Sequence, residues 1–285
     1  MLRVVSLVVT LAIAAGCQGS ATSTPPSTTP SATSSAAPTL VPVVSNQYDI
    51  GDGRTLRMTC YGNRSPTVVF QPGGTDVPGQ DAATTSTLLA IGARARACVY
   101  NRDDLDLPYD AIPERSIFDH IADLRALLRA AKVDCPCIWA GTSFGGVFAL
   151  ASALDDPAST AGLVIIDTDF PVLDGTQRCI DLGIPSTDCA PDPGDALAIT
   201  WGKQVADAVK PLPGIPVRIL TSDTFGPDCP TGWNCASINA KIVTYQASDW
   251  ATLSSDFSQT IVHVLHDDLN SGAQAEIIAT VSGLL

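Results

Sequence analysis

The sequence predicts an α/β fold built on a mostly parallel central sheet, and three observations carry that expectation. Short apolar runs rich in Val and Ile recur along the chain, as strands buried on both faces of a sheet require. Segments with helical periodicity separate several of them, and alternation of strand with helix is the mark of an α/β layer structure. The hydrophobic share of the 285 residues is 45%, enough for the large core of one folded unit.

Taken in order, the chain opens with Arg3 and the apolar run VVSLVVTLAIAA. That run is too short to span a bilayer and has the length of a signal-peptide core. Ala14, Ala15 and Gly16 lead into Cys17, a stretch that resembles the bacterial lipobox, with an Ala where that pattern usually has Leu. The resemblance implies a leader over residues 1–16 and lipidation of Cys17 as the first residue of the mature chain. Residues 17–42 are almost entirely Ser, Thr, Pro and Ala and cannot bury enough apolar surface to fold, so they read as a tether. The folded unit is expected over residues 43–285, in the cell envelope, anchored to the outer face of the cytoplasmic membrane or secreted.

Within that unit the strand candidates are RTLRMTCYG (54–62), PTVVFQPGG (66–74), RACVYNR (96–102), CIWAG (137–141), GLVIID (162–167), PVRIL (216–220) and TIVHVL (260–265). Between the third and fourth, Ile117, Ile121, Leu124 and Leu128 fall at helical spacing, with Asp119, Asp123, Arg125 and Arg129 turned away and Ser116 as N-cap. Further helices are expected over 145–154 and 271–284. Residues 171–213 break the rhythm and read as a small excursion, or cap, over a site.

Composition excludes some functions. A formal net charge of −13 without a Lys/Arg cluster argues against nucleic acid and against electrostatic docking on anionic lipid. Membrane contact is therefore expected through Cys17 only. Setting Cys17 aside leaves eight cysteines, which in an exported protein suggests a disulfide framework. No pair has C-x-x-C spacing, and Cys135-Pro136-Cys137 is one residue too tight for it, so a zinc site or redox dithiol is not expected.

The chemistry centres on Gly141-Thr142-Ser143-Phe144-Gly145, a G-x-S-x-G that follows an apolar run and precedes GVFALASAL. A free serine hydroxyl is a poor nucleophile and must be held exposed, beside a base, with amide donors facing the developing oxyanion. A strand-to-helix elbow does this, and small residues flank the serine because side chains there would collide across the bend.

On these residues the sequence resembles the α/β-hydrolase superfamily, especially its small-cap esterase and lipase-like branches, where G-x-S-F-G-G is common. The likeness covers roughly residues 55 to 285 and is strongest from Cys98 to Asp167 and near the C-terminus. It implies the order nucleophile, acid, histidine. His120 precedes the serine on an amphipathic helix and reads as structural. Of the two later histidines in IVHVLHDDLNSG, register against the family stretch H-x-x-H-x-D selects His263 as base, with His266 and Asp268 at accompanying positions. Strand geometry argues the other way, because a fully extended TIVHVL leaves His263 in mid-strand and puts His266 in the loop beyond it. The acid is expected at Asp223, after PVRILTS, and Asp167 and Asp169 hold the position that some relatives use instead.

The same likeness implies an oxyanion hole from the amides of Phe144 and Gly74, the latter in QPGGTD, where relatives often have His-Gly. It makes LRMTC and RACVY neighbouring strands, so that Cys60 and Cys98 meet. Cys179 with Cys189 and Cys229 with Cys235 are close-spaced pairs that would staple loops. The expected activity is serine-dependent cleavage of a small-molecule or lipid-like acyl ester by Ser143, His263 and Asp223, with His266, Asp167 and Asp169 as alternates. No cofactor or metal is called for, and a monomer is expected. Acyl transfer, peptidase or thioesterase chemistry on the same triad stays open, as does a non-catalytic binding scaffold.

Overall fold

A computed structural model of the chain describes residues 42–74, 82–102, 115–172, 174–189, 196–224 and 229–285. The leader, Cys17 and nearly all of the tether lie outside the described residues. In chain order the elements are β1 (Val44–Gly51), β2 (Arg54–Tyr61), β3 (Thr67–Gln71), α1 (Ala82–Gly92), β4 (Arg96–Tyr100), α2 (Ile117–Ala130), β5 (Cys137–Thr142) and α3 (Phe144–Asp155). They continue with β6 (Thr160–Ile166), α4 (Gly175–Leu182), α5 (Ala196–Ala208), β7 (Val217–Thr224), α6 (Cys235–Trp250), β8 (Phe257–Leu265), α7 (Leu269–Gly272) and α8 (Gln274–Ser282).

The eight strands form one sheet in the order β1-β2-β4-β3-β5-β6-β7-β8. β1 pairs antiparallel with β2 and β2 antiparallel with β4, while every pairing from β4 through β3 to β8 is parallel. All seven expected runs are strands. The eighth, β1, joins β2 through Asp52 and Gly53, both at positive φ of 55° and 71°, the backbone that a tight hairpin requires.

Period-two alternation divides the core between the two faces of the sheet. On β5, Cys137 and Trp139 pack with Leu124 and Leu127 of α2 and Phe148 of α3. Ile138 and Ala140 pack on the other face with Leu88 and Ile91 of α1 and Ile277 and Val281 of α8. Both faces are covered, which is why the central strands read as unbroken apolar runs.

Helix α2 starts at the expected cap. The Ser116 hydroxyl accepts from Asp119 N at 3.1 Å while Asp119 Oδ2 accepts from Ser116 N at 2.9 Å, a capping box. The Ser116 contacts hold the Asp119 carboxyl below its usual range. Asp123 departs from expectation. It is buried, with the fork of Arg54 on both carboxylate oxygens and Arg115 Nη2 at 2.7 Å; charge alone turns it to solvent, whereas Arg54 reaches it from β2 and Arg115 from just before the helix cap.

The segment 171–213 contributes α4 and α5, and α5 is built into the core. Trp201 is 2% exposed, its ring lies parallel to Phe144 at 5.9 Å, and it meets His120 edge-on at 4.8 Å. His120 is thereby fixed in an aromatic cluster on the sheet face.

Four cysteine pairs lie at disulfide distance. Cys60 and Cys98 are directly opposed in the β2–β4 ladder and bonded, with Cα atoms 4.0 Å apart. Cys179 joins Cys189 and Cys229 joins Cys235, as expected. Cys135 joins Cys137 across Pro136, which accounts for the two cysteines left without an assigned partner.

Candidate active site

Ser143 occupies the single residue between the end of β5 and the start of α3, at φ 53° and ψ −130°. A non-glycine residue at positive φ stores roughly 1–3 kcal/mol of strain and persists only when its surroundings over-determine it. Here Ser143 N donates to Ile166 O at 2.9 Å. The Ser143 carbonyl accepts from Thr168 Oγ1 at 2.6 Å and from Gly146 N at 2.9 Å. The start of α3 also sets its N-terminal amides, Phe144 first, beside the hydroxyl, where a helix favours negative charge.

The glycines have separate reasons. A Cβ on Gly141 would stand 2.2 Å from Gly145 O, across the bend. A Cβ on Gly145 would stand 2.2 Å from Gln71 O and 2.6 Å from Pro72 O, so this glycine lets the elbow touch the loop after β3. A Cβ on Gly146 would meet Thr168 Oγ1 at 2.2 Å, the same hydroxyl that secures Ser143.

The loop after β3 is held from below. Gln71 is buried between Tyr100, whose hydroxyl donates to Gln71 Oε1 at 2.6 Å, and Ser152, which accepts from Gln71 Nε2 at 3.2 Å. Buried Arg102 donates from Nη1 to Pro72 O at 3.0 Å and from Nη2 to Gly73 O at 3.2 Å, with its guanidinium 4.2 Å above the Phe148 ring. Gly73 and Gly74 then border a cavity of about 410 Å³ shared with Ser143 and His266.

Two histidine–carboxylate pairs sit at the ends of the last three strands. His266 follows β8 directly, and its Nδ1 donates to Asp167 Oδ2 at 2.7 Å. Asp167 follows β6, and its Oδ1 accepts from Ser222 N at 2.9 Å, so both carboxylate oxygens are engaged. The hydrogen bond to Asp167 raises the His266 pKa above 6.5, against the opposing effect of burial. With Nδ1 as donor, Nε2 of His266 is the acceptor.

His263 lies within β8, with its side chain 81% exposed and its Nδ1 at 2.9 Å from Asp223 Oδ2. That contact holds the Asp223 carboxyl below its usual range. Neither His263 nor Asp223 lines either cavity that Ser143 lines.

The larger of those cavities measures about 540 Å³ and is bordered by Ser143, Asp167, Asp169 and His266 together with the apolar Phe144, Val147, Ile242 and Leu265. Asp169 opens onto it as an exposed carboxylate. The structure thus brings Ser143, His266, Asp167, Asp169, Gly74 and Phe144 to one place and leaves His263 and Asp223 to each other. Sequence reasoning missed Arg102, Thr168 and Ser222. Arg102 carried a local signal, an arginine just past the apolar run that precedes the loop; the other two are known only through tertiary contacts.

No protein-family model matches the chain. A protein of Serratia proteamaculans (strain 568) carrying the name carbamate hydrolase RutD is 30% identical over 117 residues, 40% of this chain and 42% of that protein, so the chain spans less than half of this relative's length. Among solved structures, alpha/beta hydrolase domain-containing protein 10 from mouse superposes with a TM-score of 0.57 at 14% identity, covering 84% of this chain and 97% of that one. A thioesterase domain from the curacin biosynthetic pathway superposes with a TM-score of 0.56 at 13% identity, covering 84% and 98%. The strand order and these likenesses define the fold as that of the α/β hydrolases.

Proposed function

We propose that this protein is a serine hydrolase that cleaves a carboxylic ester through an acyl-enzyme on Ser143. The observation that carries the reading is that Ser143 and His266, the latter bonded to Asp167, line the same two cavities. In this reading the base is His266 and the acid Asp167, in place of His263 and Asp223.

Nε2 of His266 takes the proton as Ser143 Oγ attacks the acyl carbon, and Asp167 fixes the tautomer and stabilises the imidazolium. The oxyanion is held by the amides of Phe144 and Gly74, each such donor contributing about 100- to 1000-fold in rate. Collapse breaks the ester bond, and His266 returns the proton to the departing alcohol oxygen. Water then attacks the acyl-enzyme by the same steps, releasing the acid and restoring Ser143. Arg102 is a positioning residue, acting through the carbonyls of Pro72 and Gly73. The partial likeness to a protein named a carbamate hydrolase supports attack on a carbonyl. The substrate in this reading is a small-molecule or lipid-like acyl ester, taken by a monomer.

We extend the proposal to location, with export and anchoring through acylated Cys17. This is supported by the apolar run and small residues before that cysteine.

The test is to mix the purified full-length protein with nitrophenyl acyl esters and follow both nitrophenol release and the mass of the Ser143 peptide. The reading expects an acyl adduct on that peptide and loss of turnover in Ser143→Ala. Folded protein that hydrolyses the esters equally well without Ser143 contradicts it.

A further inference from the structure

The larger cavity has an unequal lining. Phe144, Val147, Ile242 and Leu265 make it apolar on one part, while Asp167, Asp169 and Asp267 make it acidic on another, and no Lys or Arg lines it among the described residues. Among the described residues the basic side chain that lines it is His266, which is bonded to Asp167.

Of the three carboxylates, Asp167 is engaged by His266 and Ser222. Asp169 is held differently. Its Oδ1 accepts from Gln246 Nε2 at 3.2 Å, and Gln246 is 4% exposed. The Gln246 amide is oriented from behind, because Thr221 Oγ1 donates to its Oε1 at 2.7 Å and in turn accepts from Gln259 Nε2 at 2.9 Å. A relay of buried Gln246 and Thr221 with half-buried Gln259 therefore fixes one oxygen of Asp169 and leaves Oδ2 without a partner among the described residues. Arg178 also borders Asp169, in a smaller cavity, but its guanidinium is bonded to Asp249 at 2.7 Å and stacked 4.4 Å over Tyr245.

We propose that Asp169 is a specificity-determining residue of this cavity and that the ester it takes carries an ammonium or guanidinium group. The inference rests on the serine-hydrolase reading and adds the substrate's charge to it. A cation placed on Oδ2 gains a charge-assisted hydrogen bond and relieves the repulsion between Asp167 and Asp169, whereas a substrate carboxylate would add to that repulsion. The apolar walls accommodate the carbon chain that separates the cation from the scissile carbonyl.

The experiment compares nitrophenyl esters of ω-amino acids of increasing chain length with matched alkanoyl, hydroxyalkanoyl and ω-carboxyalkanoyl esters on the full-length protein. A parallel series places the ammonium on the alcohol side. The expected result is an ammonium ester whose kcat/KM exceeds that of its neutral isostere by about 10- to 100-fold, with the carboxylate ester below both. In Asp169→Asn that ratio falls toward one, and fluorophosphonate labelling of Ser143 verifies that the variant retains its site. Equal turnover of ammonium, hydroxyl and alkyl esters by the unaltered protein overturns the proposal, as does a preference that survives Asp169→Asn. If none of the esters acylates Ser143, the serine-hydrolase reading fails instead, and this inference with it.

Discussion

Asp167 and His266, 99 residues apart in sequence, meet at 2.7 Å beside Ser143. The contact fixes the imidazole tautomer and raises its pKa above 6.5. A general base works in its neutral form, so kcat/KM is expected to fall as the pH drops through that raised pKa. In Asp167→Asn the stabilising charge is gone, the acid limb moves to lower pH, and kcat drops by about 10⁴ because the tautomer is no longer enforced. A pH–rate profile of both proteins measures this, and an acid limb that stays in place contradicts the role of Asp167.

Gly145 lets the elbow touch the loop after β3, since a Cβ there would stand 2.2 Å from Gln71 O. Both groups are backbone and neither can swing aside. Gly145→Ala is expected to cost about 1–3 kcal/mol by overpacking and to displace the proposed oxyanion donors, with turnover falling by roughly 100-fold. Chemical denaturation and ester kinetics on the same preparation test both parts.

Arg102 grips the carbonyls of Pro72 and Gly73 with both arms of its fork. Arg102→Lys keeps the cation but not the two parallel donors. The expected outcome is a fall in kcat of about 10- to 100-fold from loss of orientation, with KM changed far less. A purely structural role would lower the melting temperature and leave kcat of the folded fraction intact.

The Cys60–Cys98 bridge ties β2 to β4 across a sequence separation of 38. Replacing both cysteines with Ala is expected to lower stability by about 2–4 kcal/mol, seen as an earlier midpoint in denaturant, without loss of Ser143 labelling below that midpoint.

The parts of this fold that were legible in the sequence are those set by local pattern. The central strands announce themselves because both faces are buried, and the elbow because Gly141, Ser143 and Gly145 must coexist within five residues. β1 was not legible, since it is an edge strand whose VSNQYDIG alternates half-buried with exposed residues and offers no apolar run. Asp123 reads as solvated because Arg54, which holds it with Arg115, lies on β2, 69 residues away in sequence.

The site was legible as a set of candidates and ambiguous as a choice among them. His263 and His266 differ by three positions, and β8 runs through Leu265, which puts the first within the strand and the second just past it. The end of β8 at Leu265 leaves His266 in the loop, as full extension of TIVHVL requires. Asp167 and Asp223 both stand at carboxyl ends of parallel strands, and only side-chain direction, which no linear pattern encodes, separates one that faces Ser143 from one that faces solvent.

The most direct measurement is the rate of fluorophosphonate labelling at Ser143, read by peptide mass spectrometry, in the full-length protein and in His266→Ala and His263→Ala. Proton transfer to His266 predicts labelling that falls by at least about 100-fold in His266→Ala and stays near the unaltered rate in His263→Ala, whose exposed pair with Asp223 is worth little. Labelling that survives in His266→Ala and is lost in His263→Ala would contradict the account and return the base to His263.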